Sequence, residues 1–289
     1  MSRLRLGAVE YLNARPLVYG LQRHADRFDV RFDIPARCAG LLHGGEVDLG
    51  LVPSIEYLRG ESYVAVPGVA VASDGPVASV AVFSHQPIER VRTVALDASS
   101  RTSVALFKVL CARYFGISPE VRVMPPDPLR MLEACDAALI IGDVALFFDH
   151  AASGVEKTDL GLAWQAYAGL PFVYAFWFGR PGVMTIDDIA VLGEACRLGV
   201  EHAEDVARQH FPDDLRRAAI GARYLRDNVD FGFGKRELAG LARFYRDAAG
   251  LGIVPAFREP RFEWGPSQGQ REARPGGSAN GLEDGLPGS

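Results

Sequence analysis

The chain has 289 residues, 48% of them apolar, which suffices for one large core or two smaller ones. Its formal net charge of -5 gives no general attraction to nucleic-acid backbones or anionic lipid, so nucleic acid is not an expected partner. Lys108, Lys157 and Lys235 are the only lysines among 31 basic residues, so the cations are suited to forked carboxylate recognition rather than Schiff-base chemistry.

The N-terminal residues pass from Arg3 and Arg5 straight to Gly7, Glu10 and Asn13, without the apolar core of a signal peptide, and no stretch approaches the roughly 20 apolar residues that span a bilayer. A cytoplasmic protein without membrane contact is expected. Leu4, Leu6 and Ala8 alternate with Arg3, Arg5 and Gly7, which predicts a strand; Asn13 then stands as the N-cap of a helix with Pro16 in its first turn. Phe28, Val30, Phe32 and Ile34 predict a second strand. Residues 36–43 read as a helix broken by Gly44-Gly45, and residues 47–51 alternate again before Pro53. Further strands are expected over 64–71 and 77–83, and Gln86-Pro87 marks a break taken as the first crossing between lobes.

A second alternating unit starts at Val94-Ala95-Leu96 and continues as a helix with Val104, Phe107, Cys111 and Tyr114 on one face. Residues 137–141 and 172–178 read as strands, and residues 189–210, 214–226 and 235–249 as helices; Phe231-Gly232-Phe233-Gly234 is expected to be a turn between helices. Strands alternating with helices predict an α/β protein of two lobes, each with a mainly parallel sheet, with a ligand cleft beyond the carboxyl ends of the strands. Lobe I is assigned to 1–84 and 176–264, lobe II to 85–175, and the Gly- and Pro-rich stretch 265–289 to a disordered tail.

Cys38, Cys111, Cys135 and Cys196 are scattered, with neither a CxxC pair nor histidines at metal-ligand spacing, so neither disulfide nor metal is expected. The phosphate-loop, dinucleotide, zinc-protease and serine-hydrolase motifs are absent from the sequence. The six histidines are isolated from one another, and only His85, beside the assigned crossing, is singled out. Asp97-Ala98-Ser99-Ser100-Arg101-Thr102-Ser103 lies where a strand gives way to a helix; the helix N-terminus and hydroxyls favour an anion, with Arg101 as a carboxylate clamp. Alternatively Ser99 or Ser100 caps the helix and Arg101 is solvated. Asn13, Ser54, Ser84 and Asp143 also fall at predicted strand ends, where they converge on the cleft or act as caps.

Four segments carry a specific resemblance: Gly7-Ala8-Val9-Glu10-Tyr11-Leu12-Asn13-Ala14-Arg15-Pro16-Leu17, Gly50-Leu51-Val52-Pro53-Ser54-Ile55-Glu56-Tyr57, Ser99-Ser100-Arg101-Thr102-Ser103 and Ile141-Gly142-Asp143-Val144-Ala145-Leu146. In this order they resemble the chorismate dehydratase family, which opens the futalosine route to menaquinone. The resemblance spans roughly residues 3 to 255. It implies a periplasmic-binding-protein type II fold and a cofactor-independent hydro-lyase that converts chorismate to 3-[(1-carboxyvinyl)oxy]benzoate and water, the substrate's own enolpyruvyl carboxylate removing the proton. It implies catalytic positioning by Asn13 and Ser84. From the residues themselves, Ser54, Ser99, Ser100, Arg101, Thr102, Ser103, Gly142 and Asp143 are assigned to substrate binding, and Arg15 is either a second carboxylate clamp or a solvated residue. Two other readings stand beside this one: a non-enzymatic binder of a small carboxylate, and the related enzyme of the same pathway that forms dihydroxynaphthoate.

Overall fold

The computed structural model describes residues 3–60, 62–97 and 99–262; the tail assigned to 265–289 lies outside them. Alternating apolar residues build β1 (Leu4–Val9), β2 (Phe28–Asp33) and β3 (Leu49–Pro53), with helix α1 (Pro35–His43) crossing between the last two. β1 pairs in parallel with both β2 and β3. The remaining strands of this sheet are β4 (Val64–Ser73), β10 (Phe172–Gly179) and β11 (Asp230–Phe233), in the order β11-β4-β10-β3-β1-β2.

A second sheet has the order β7-β6-β8-β5-β9, from β5 (Val80–Ser84), β6 (Thr93–Asp97), β7 (Glu120–Met124), β8 (Ala137–Ile141) and β9 (Glu156–Asp159). It is flanked by α2 (Arg101–Leu110), α3 (Pro128–Ala134), α4 (Gly142–Phe147) and α5 (Leu160–Ala168). Both its faces are covered: Val80 and Val82 join the main core, while Ala81 and Phe83 join a smaller cluster with Met131 and Ile140. The C-terminal helices α6 (Ile186–Glu201), α7 (Ala203–His210), α8 (Leu215–Asp227) and α9 (Lys235–Gly250) belong to the first lobe.

Three expectations change. First, both sheets are mixed: β10 runs antiparallel to β3 and β4, and β5 antiparallel to β8 and β9. These two strands enter their sheets directly after the chain passes between lobes, with no helical crossover to make them parallel. Second, the crossings come earlier than assigned, because β5 already pairs in the second sheet and β10 already pairs with β4 at Phe172. The outward crossing is the turn around Ala78, whose φ of 63° is held by the Asp159 carboxylate accepting from the Val77 and Ala78 amides at 3.1 and 2.7 Å. Third, residues 231–233 form edge strand β11 against β4 rather than a helix-joining turn.

The predicted helix after β1 is a 3-10 segment, Leu12–Val18, preceded by Tyr11. Pro16 inside it has no N–H, which removes a backbone hydrogen bond from the second turn. The segment is locked by close packing: a Cβ on Gly199 of α6 would lie 2.3 Å from the Pro16 carbonyl oxygen, so only glycine lets the helix come this near. The loop that carries Asn13 is thereby fixed against the rest of lobe I.

Candidate active site

The carboxyl ends of β1, β3 and β8 and the N-terminal end of α2 meet between the lobes around a cavity, the place in such a fold where small-molecule ligands bind. Val9, Pro35, Pro53, Val71, Val80, Ile141 and Ala175 give it apolar walls, and Tyr11, Asn13, Ser100, Thr102, Ser103 and Tyr174 supply polar atoms. None of the lining residues is a His, Lys, Arg, Asp or Glu. The first amides of an α-helix have no intrahelical partner, so the α2 N-terminus and its hydroxyls offer donors to an anion without a fixed charge.

Tyr11 lines the cavity against Gly142. A Cβ on Gly142 would come within 2.8 Å of the Tyr11 Cδ1, and Gly142 has φ +64°, so both contact and backbone demand glycine there. Burial, reinforced by Asp97, Glu10 and Asp143, pushes the Tyr11 phenol up to about 12 against its hydrogen bond with the Ser99 side chain. Burial likewise raises the phenols of Tyr174 and Tyr224. These groups stay protonated at neutral pH and act as hydrogen-bond donors rather than bases.

Behind Asn13 the Tyr224 hydroxyl of α8 meets the Ser79 hydroxyl at 2.7 Å, and the Asn13 side chain reaches the same phenol. The Ser79 carbonyl accepts from the Gly142 amide at 2.8 Å. A short chain of polar groups thus joins Asn13, Tyr224, Ser79 and Gly142 from both lobes.

Of the assigned residues, Asn13, Ser100, Thr102, Ser103 and Gly142 come together on this cavity. The others do not line it. Ser84 lies at the far end of its strand: β5 is antiparallel to β8, so Val80 faces Ile141 at the cavity, whereas Ser84 pairs with Ala137, about 13 Å further along at 3.3 Å per residue. Its hydroxyl donates to the Gln86 carbonyl at 2.7 Å. His85 bonds the Leu132 carbonyl at this same remote edge. Ser79, just before Val80, occupies the cavity end that had been expected for Ser84.

Arg101 points away from the cavity and donates to Glu56 Oε2 across the lobes at 2.9 Å. The fully buried Glu56 is also met by His43 Nε2 at 3.0 Å and Arg59 Nε at 3.4 Å. Burial alone would raise its carboxyl, but His43, Arg59 and Arg101 outweigh burial and hold it below the ordinary value of 4.5. Ser54 donates to the Val173 carbonyl at 2.8 Å, and the Thr102 hydroxyl accepts from the Ile55 amide at 3.1 Å, a second tie between lobes. Ser99 is bound by Asp97 at 2.8 Å through its amide and 2.7 Å through its hydroxyl. Arg15 stacks 4.0 Å over Phe32 in a groove on the outer flank with Gln22, Gln209 and His210. Asp143 stands beside the cavity, yet both its oxygens are engaged, by the Leu12 amide at 3.2 Å and His210 Nε2 at 2.6 Å.

Tyr174, Tyr224 and Ser79 escaped the sequence reading. Tyr174 is hidden in an apolar strand and Tyr224 in a helix 211 residues beyond Asn13; only Ser79, directly before an apolar run, carries a local signal. Among the described residues no group of three His, Cys, Asp or Glu is placed to hold a metal ion, and no helix is long and apolar enough to cross a membrane.

The family described as menaquinone biosynthesis matches residues 4–250. The chain is 31% identical over 272 residues to the chorismate dehydratase of Thermus thermophilus, covering 87% of this chain and 97% of that protein. Among solved structures it resembles protein AF1704 from Archaeoglobus fulgidus, with a TM-score of 0.69 and 17% identity over 87% of this chain and 98% of that one. It also resembles the periplasmic aliphatic sulphonate binding protein SsuA from Escherichia coli, with a TM-score of 0.62 and 18% identity over 97% and 98% of the two chains. At these identities the solved structures show the fold, a periplasmic-binding-protein-like pair of lobes.

Proposed function

Because the chain belongs to the menaquinone biosynthesis family, we propose that it is a chorismate dehydratase, a hydro-lyase that converts chorismate to 3-[(1-carboxyvinyl)oxy]benzoate and water and acts in the cytoplasm, where small metabolites are made. The observation that carries the reading is the cavity itself, which combines protonated hydroxyl and amide donors and a helix N-terminus with no His, Lys or carboxylate to act as a base.

Such a site suits a substrate that brings its own base. The C–H bond at the ether-bearing ring carbon breaks, and its electron pair forms the new ring double bond as the neighbouring C–O bond breaks. The enolpyruvyl carboxylate takes the proton, and hydroxide leaves to become water. Aromatisation drives the step, and the protein supplies orientation and hydrogen bonds to developing charge. In this reading Ser100, Thr102, Ser103 and the α2 amides hold one carboxylate, Asn13 addresses the reacting hydroxyl or the second carboxylate, and Tyr11 with Gly142 forms the facing wall.

The test is to mix purified protein with chorismate and follow loss of the cyclohexadiene absorbance with appearance of an aromatic acid. Turnover that falls ~100-fold in Asn13→Ala, with the fold intact by circular dichroism, is the expected result. Tight binding without turnover refutes the enzyme and leaves a carboxylate binder. Turnover of the cyclised futalosine derivative but not chorismate assigns the chain to the dihydroxynaphthoate-forming step instead.

A further inference from the structure

The Asp143 carboxylate makes its two hydrogen bonds to a different lobe from its own. Asp143 is the second residue of α4 in lobe II, directly after the cavity-lining Gly142. Its Oδ1 accepts from the Leu12 amide, in the 3-10 segment immediately before Asn13, and its Oδ2 meets Nε2 of His210, the last residue of α7. The surrounding contacts reinforce this grip on α4: Phe147 meets Phe211 edge-on at 5.1 Å between ring centres, and the Arg217 guanidinium lies 5.1 Å over the Phe147 ring. The His210 side chain is 12% exposed, so the ion contact is shielded from solvent on most sides.

We infer that His210 is a positioning residue for the reaction: through Asp143 it latches lobe II onto the turn that bears Asn13 and so sets the spacing between Asn13 and the Gly142 wall. The inference rests on the dehydratase reading for its kinetic consequence but not for its geometry. His210 touches none of the cavity, and its Nε2 faces the Asp143 carboxylate as a donor. An Asp143 left without His210 retains only the Leu12 amide, which weakens the hold on Gly142 next to Asn13, while the Arg101–Glu56 and Ile55–Thr102 ties between the lobes remain. The latch differs from a local packing contact because its two ends lie on lobes that the chain joins through the crossings just before β5 and just before β10.

The experiment reads lobe separation directly and turnover separately. Cys38, Cys111, Cys135 and Cys196 are buried, so spin labels on Val123→Cys in lobe II and Ile186→Cys in lobe I report a single pair distance by pulsed electron paramagnetic resonance. His210→Ala is expected to broaden that distance distribution toward longer separations and to raise KM for chorismate roughly tenfold, with kcat within about threefold, as befits loss of one charge-assisted hydrogen bond from the closed form. His210→Gln, which keeps an N–H donor, should restore both. Asp143→Ala should reproduce the His210→Ala distances, and takes its place if that variant does not fold. An unchanged lobe separation in His210→Ala or Asp143→Ala overturns the inference whatever the kinetics, and so does a folded His210→Gln that behaves like His210→Ala. Wild-type protein that does not turn over chorismate refutes the reaction reading alone, since the label distances still decide the latch.

Discussion

Replacing Glu56 with glutamine removes one charge from the centre of a buried cluster while keeping its shape. The carboxylate is fully buried, and it accepts charge-assisted hydrogen bonds from His43 and Arg101 and faces Arg59 at 3.4 Å. Each hydrogen bond to a charged group contributes ~1.5–3 kcal/mol, and breaking a fully buried pair costs ~3–5 kcal/mol. The His43, Arg101 and Arg59 side chains remain 29%, 34% and 49% exposed respectively, and water takes up part of the guanidinium charge in the variant. Discounted for that screening, the expected loss is about 2 kcal/mol, or roughly 3–4 °C in Tm for a chain of this size. Denaturant unfolding of both proteins at pH 7 measures it. The pH dependence has a definite sign: the folded-state carboxyl titrates below its ordinary 4.5, so its contribution is complete above that value and disappears as pH falls through the lower folded value. The difference between the two proteins should therefore be present at pH 7 and shrink below pH 4.5. A stability difference under 0.5 kcal/mol at pH 7, or one that grows on acidification, refutes the reasoning.

Ser84→Ala should leave chorismate turnover within twofold, because its hydroxyl binds a carbonyl at the remote end of β5, whereas Ser79→Ala should lower turnover at least tenfold by breaking the contact with Tyr224; equal effects in steady-state assays would count against the strand direction. Gly142→Ala places a side chain at φ +64° and against the Tyr11 ring, so calorimetry should show a loss of about 1–2 kcal/mol from the backbone alone, with turnover lowered ~10–100-fold by the displaced ring. Wild-type stability together with full activity would contradict the contact. Burial pushes the Cys38, Cys111 and Cys196 thiols up to about 12 and raises Cys135 as well, so native protein at pH 8 should not react with Ellman's reagent within an hour, while all four thiols react in guanidinium. Rapid labelling of the native form would show that these sites open.

Much of this site was legible in the chain. The alternation around Leu4, Phe28 and Leu49 specified parallel strands whose carboxyl ends carry polar residues, and that sufficed to bring Asn13, Ser100, Thr102, Ser103 and Gly142 to one cleft. Local pattern does this because side-chain period and strand-end chemistry are properties of a few consecutive residues. The direction of β5 is not such a property. It depends on which strands it pairs with, and the antiparallel choice moved Ser84 to the wrong end and brought Ser79 to the right one. The same limit applies to charge. Arg101 has the residue type and location of a carboxylate clamp, and its actual carboxylate is Glu56, 45 residues away; His210 looked isolated because its partner Asp143 lies 67 residues away. The sequence by itself determined most of the elements and the donors that Asn13, Ser100, Thr102 and Ser103 bring to the cavity. Only the tertiary structure decided which charges neutralise one another across the lobes, because that depends on distances between segments that no local period encodes.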